Sequence, residues 1–110
     1  MSTVDDLREI ALSLPEATER PAWDMPAFRV RDKIFAAVSA THGVGIPISK
    51  EERAELVSSD PDKFYWTAHD QNYGFMRLRL ENIEPDELRE LLTDAWRRKA
   101  GPRLSKSHDI

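Results

Sequence analysis

The sequence predicts an α+β domain: an antiparallel β-sheet with the N- and C-terminal helices packed on one face. Three observations carry that prediction. Apolar residues at helical spacing form a stripe near each end of the chain, over residues 3–14 and 85–99. Between them, β-branched and aromatic residues alternate in short runs separated by turn residues. Strands joined by short turns pair antiparallel, and two amphipathic helices flanking them need a shared apolar surface. The 110 residues fit one domain with one hydrophobic core.

The elements follow in order. Val4, Leu7, Ile10, Ala11 and Leu14 make the first stripe, with Thr3 and Asp6 as a short capping box and Pro15 as the stop. Residues 15–27 hold Pro15, Pro21 and Pro26 and read as irregular, with room for a short strand near 17–20. Residues 28–39 predict a hairpin turning at Arg31-Asp32, although the favoured Asn-Gly or Asp-Gly is missing. After a second turn at His42-Gly43, Val44, Ile46 and Ile48 alternate. Pro47 makes that strand an edge, or ends it. Ser49 and Glu52 open a short helix over 50–58, broken by Asp60-Pro61-Asp62. Phe64, Tyr65 and Trp66 suggest a short strand, and residues 69–72 a loop. Residues 73–80 are the clearest strand: Met76, Leu78 and Leu80 face the core, while Phe75, Arg77 and Arg79 face outward. The last helix carries Leu88, Leu91, Leu92, Ala95 and Trp96 on one side and ends at Gly101-Pro102. Residues 1–104 form the predicted domain and 105–110 a flexible tail.

Composition excludes several classes. With no cysteine there is no disulfide, thiol nucleophile or cysteine-held cluster. No stretch approaches the ~18 apolar residues of a membrane helix, and the N-terminus lacks a basic segment followed by an apolar run. The expectation is a soluble, cytoplasmic protein that does not engage membranes. A net charge of −4 opposes bulk attraction to phosphate backbones. The stretches that hold the predicted helices are net acidic, −3 over residues 1–20, −3 over 50–70 and −2 over 81–100, whereas residues 71–80 hold Arg77 and Arg79 and no carboxylate.

Catalytic motifs are absent: no phosphate-cradling glycine loop, no nucleophile elbow and no zinc helix. His42, His69 and His108 read as ordinary surface histidines, and acid–base work by His69 with Asp70 ranks low because sequence neighbours rarely orient each other. The carboxylates Asp5, Asp6, Glu9, Glu16 and Glu19 read as a solvated helix face with favourable charge near its start, so no metal and no cofactor are assigned. The more informative feature is the exposed side of the sheet. Arg29, Arg77, Arg79 and Phe75 point outward. If Lys33, Phe35 and Ala37 do so as well, rather than Ile34, Ala36 and Val38, the face becomes aromatic and basic. Such a face can stack bases and neutralise phosphates, or receive a protein partner. Trp96 belongs to the core and Trp66 packs against the sheet. Trp23, between Pro21 and Pro26, is the candidate for a ligand-pocket rim.

One ordered set of segments resembles a known family. It comprises Leu12-Ser13-Leu14-Pro15, Trp23 with Pro26, Phe28-Arg29-Val30 with Lys33-Ile34-Phe35-Ala36, and the proline-bearing strand followed by Glu51-Glu52-Arg53. Tyr73-Gly74, Arg77-Leu78 and Leu88-Arg89-Glu90-Leu91-Leu92 through Trp96 complete it. Over about residues 3–104 the chain resembles the MmcQ/YjbR family of small bacterial proteins. That resemblance implies a compact α+β fold likened to CyaY, the bacterial frataxin relative, and a DNA-binding role that Arg29, Lys33, Arg77 and Arg79 would serve. Family members often have a glycine in the first hairpin turn, where this chain has Asp32. The frataxin comparison brings iron on an acidic first helix, but no ligand motif carries over.

Two readings result. The first is a weak nucleic-acid-binding module using Arg29, Lys33, Arg77 and Arg79, with Phe35 and Phe75 as stacking residues. The second is a protein- or small-ligand-binding domain, self-associating weakly through the open sheet face. An enzyme ranks behind both.

Overall fold

The computed structural model describes residues 1–21, 25–39 and 43–101. Helix α1 (Val4–Ser13) is capped as predicted: the Asp6 amide donates to Thr3 Oγ1 at 3.2 Å, and the Thr3 amide donates to Asp6 Oδ2 at 2.9 Å. Strands β1 (Thr18–Glu19), β2 (Ala27–Val30), β3 (Lys33–Ser39) and β4 (Gly43–Pro47) follow. Next come α2 (Lys50–Ser59), β5 (Phe64–Tyr65), β6 (Phe75–Leu78) and α3 (Pro85–Ala100). The six strands form one antiparallel sheet in the order β1-β2-β3-β4-β6-β5.

The core lies between the sheet and helices α1 and α3. Leu7, Ile10 and Ala11 of α1 meet Leu88, Leu92, Ala95 and Trp96 of α3, and both sets meet Phe28, Val30, Val44, Ile46, Met76 and Leu78 of the sheet. Burying such side chains contributes roughly 1.5–3 kcal/mol each. Met76, Leu78 and Leu80 are buried as their alternation predicted, although β6 is shorter than the expected 73–80 and Leu80 opens a 3₁₀ turn over Leu80–Asn82. A second 3₁₀ turn, Ala68–Asp70, takes part of the segment read as loop.

Two strand expectations are corrected. Strand β4 is central, not an edge, lying between β3 and β6. It does end on Pro47, and its pairing with β3 stops at Gly45, which leaves the proline with a single neighbouring strand. In β3 neither strict alternation holds. Phe28 pairs with Ala36 but Arg29 pairs with Ile34, so Phe35 is an extra, unopposed residue. Such a bulge restarts the alternation. Phe35 and Ala36 are therefore both fully buried in the core, and Ile34 and Ala37 face the other side.

The β2–β3 turn is made by Arg31 and Asp32, with φ of 51° and 66°. Positive φ at both central residues is the mark of a type I′ connection, which twists with the strands and favours Asn-Gly. A side chain such as arginine is disfavoured there. The exposed Arg31→Asn change is expected to stabilise the fold by about 0.5–1 kcal/mol, seen as a higher urea midpoint with an unchanged slope.

Candidate ligand-binding groove

The face of the sheet opposite the core is not a flat solvated surface. Gly45 and Arg77 are register partners on β4 and β6, as are Pro47 and Phe75. Gly45 has no side chain, and the Phe75 ring lies over it: a Cβ there would come within 2.1 Å of the ring. The Phe75 ring in turn covers the Arg77 guanidinium, 4.9 Å from its centroid.

Arg77 is only 5% exposed and its partner Asp70 only 1%. The two form a bidentate pair, Nε donating to Oδ2 at 2.9 Å and Nη2 to Oδ1 at 2.8 Å. Arg77 Nη1 also donates to the Gly43 carbonyl at 3.2 Å. The Thr67 amide and hydroxyl both donate to Asp70 Oδ2 at 3.1 Å. Burial pushes the Asp70 carboxyl up. The hydrogen bonds from Arg77 and Thr67, with the arginine's charge, outweigh it and hold Asp70 below its ordinary value.

A second arginine fixes the chain that carries Asp70. Arg53 of α2 is buried, and its Nη1 donates to the carbonyls of Asp70, Tyr73 and Phe75, each at 2.9 Å. Its guanidinium stacks 4.7 Å from the Trp66 ring centre. Trp66 therefore packs on Arg53, and it stays 43% exposed. Gly74 adds a close approach, because a Cβ there would lie 2.6 Å from the Ile48 carbonyl. The 67–75 segment is thus pinned beside the sheet as a wall.

Between that wall and the β2–β3 hairpin lies a groove of about 680 Å³. Met25, Ile34, Ala37, Pro47 and Phe75 supply its apolar lining, and Tyr73 lines it as well. Two ion pairs on it are internally neutralised: Asp70 with Arg77, and Asp32 with Arg20 at 2.7 Å. Two cations on it, Arg29 and Lys99, make no ion pair or hydrogen bond with a described residue. Lys99 arrives there because the end of α3 is tied to β4, Arg98 Nη1 donating to the Pro47 carbonyl at 3.0 Å.

Of the residues proposed from sequence, Arg29, Arg77 and Phe75 meet in this groove. The expectation of an open Arg77 is corrected, since the Asp70 carboxylate and the Phe75 ring enclose it. Phe35 is corrected too, because the bulge turns it into the core. Lys33 and Arg79 are exposed but stand outside the groove, Arg79 stacked 4.2 Å from the Tyr65 ring centre. Trp23 lies outside the described residues. His69 lines the groove, but its neighbour Asp70 spends its carboxylate on Arg77 and Thr67. No group of three or more His, Cys, Asp or Glu side chains that could hold a metal ion occurs among the described residues.

The sequence reading missed Arg53 and Asp70. A signal for each existed. Arg53 is spaced three and four residues from Leu56 and Val57, on the side of α2 that those two half-bury. Thr67 and Asp70 have the spacing of a capping box.

The YjbR family model matches residues 12–98. The chain belongs to the YjbR family. Two relatives of this YjbR chain are the uncharacterized proteins Rv2570 of Mycobacterium tuberculosis and Mb2600 of Mycobacterium bovis. Each is 29% identical over 120 aligned residues, covering 94% of this chain and 93% of its own. The crystal structure of Deinococcus radiodurans protein DR2400, with a DUF419 family-model domain, matches with a TM-score of 0.75 at 21% identity. That match spans 100% of this chain and 90% of the other, and it shows the same fold.

Proposed function

We propose that this YjbR chain is a small-ligand-binding domain whose ligand seats in the groove on the outer sheet face. The observation that carries this reading is the groove's construction. Its volume of about 680 Å³ falls within the roughly 300–1,000 Å³ typical of small-molecule sites. Its lining combines an apolar floor of Ile34, Ala37, Pro47 and Phe75 with polar and charged side chains around it, and the walls are held by buried arginines rather than left to a mobile loop.

The nucleic-acid reading loses two of its six residues. Phe35 cannot stack on a base from the core, and Arg77 has spent its charge on Asp70. Arg29, Lys33 and Arg79 remain, on a chain of net charge −4. Three phosphate contacts would give a salt slope of only about −2.7 in log K against log salt.

The two readings separate in one pair of measurements. In a fragment screen followed by NMR, binders are expected to shift the signals of Ile34, Ala37 and Phe75. A labelled DNA duplex at low salt is expected to show no affinity that Lys33→Ala with Arg79→Ala removes. A screen without groove binders, together with duplex binding lost in that double variant, returns the assignment to nucleic acid.

A further inference from the structure

Resting on that groove reading, we infer that the ligand is an organic anion: a carboxylate on an apolar body, with Arg29 as its anchor. The groove's other charges are balanced within the protein, Asp70 by Arg77 and Asp32 by Arg20. Arg29 and Lys99 are the cations on its wall without a described partner. Arg29 is the sharper of the two. Its Nε is buried from solvent and has no hydrogen-bond partner. A buried donor left unmade destabilises a fold, and in native structures such donors are rare. A guanidinium offers parallel donors that match the two oxygens of a carboxylate. A carboxylate in the groove would pair with the guanidinium, and a small turn of the Arg29 side chain would bring Nε into that pairing, while Ile34, Pro47 and Phe75 offer the apolar body a surface to lie on. The arrangement is that of a residue retained for binding at a cost to stability.

The test titrates three probes into the full chain, followed by NMR: 3-phenylpropionate, its neutral amide 3-phenylpropionamide, and inorganic phosphate. The carboxylate is expected to shift Ile34, Ala37 and Phe75 and to bind at least about tenfold more tightly than the amide. Arg29→Met is expected to reduce that preference to within about twofold, while the melting temperature holds or rises by a few degrees. Arg29→Lys, which keeps the charge without the planar fork, is expected to retain part of the preference. Groove binding with equal affinity for acid and amide overturns the anion inference and leaves the groove reading standing. No shift at the groove from either compound up to about 10 mM overturns both. Phosphate binding as tightly as phenylpropionate overturns the need for an apolar body. A preference that survives in Arg29→Met overturns Arg29 as the anchor.

Discussion

Asp70→Asn is expected to destabilise the protein by about 3–5 kcal/mol, because it leaves the buried Arg77 guanidinium without its counter-charge. Asparagine nearly matches aspartate in shape, so the loss reads charge rather than volume. Its one carbonyl oxygen can replace only part of what Asp70 accepts: two bonds from Arg77 and two from Thr67. Its amide group would also turn N–H donors toward other donors. Urea unfolding provides the measurement, and a double-mutant cycle provides the diagnosis. Asp70→Asn combined with Arg77→Met is expected to cost clearly less than the sum of the two single changes, since the second removes the charge that the first stranded. Additive losses would show that the pair is not the unit.

The same pair sets a pH dependence. The folded-state pKa of Asp70 lies below its ordinary value of 3.8. Its contribution is therefore complete above the unfolded-state value and is lost as pH falls from there through the lowered folded-state value. Acid titration of the wild-type chain should steepen below about pH 4, and the Asp70→Asn profile should lack that component.

Trp96→Ala is the second large expected effect, a loss of about 3–5 kcal/mol. Trp96 has no exposed surface and stands among the largest fully buried side chains. Its Nε1 donates to the Pro15 carbonyl at 2.9 Å, so the indole ties α3 to the exit of α1 as well as filling space. Alanine leaves a cavity at the helix–helix contact and removes the donor. Against a typical total stability of about 5–15 kcal/mol, that loss is at least about a fifth of the whole. Trp96→Phe retains much of the volume and loses the bond, and about 1–3 kcal/mol is expected. Far-UV circular dichroism through a urea titration separates the two, and equal losses would mean that the hydrogen bond rather than the volume governs the site.

The scaffold was legible for specific reasons. Leu88, Leu91, Leu92, Ala95 and Trp96 recur at the helical period, and Met76, Leu78 and Leu80 at the strand period, and all of these lie against the core at least in part. Caps were legible because Thr3 and Ser49 sit three residues before carboxylates, and both accept the predicted amide hydrogen. The outer face was much less legible. Period two correctly sent Phe75 and Arg77 away from the core, but it says nothing about what lies on top of them. The cover on Arg77 comes from Asp70, seven residues away in sequence, on a segment held in place by Arg53, more than twenty residues away. Phe35 failed for another reason: one extra residue in β3 restarts the alternation, and no composition marks where the bulge falls.

What the sequence determined alone is the set of elements and their inward faces, because each is dictated by the spacing of apolar side chains along a single segment. What only the tertiary structure decided is which charges are free. Arg29 and Arg77 look alike in their strands, each flanked by apolar neighbours. One meets a buried carboxylate delivered by a distant turn, and the other meets none among the described residues. A charge's availability depends on the distance to its counter-charge in space, and chain order does not encode that distance.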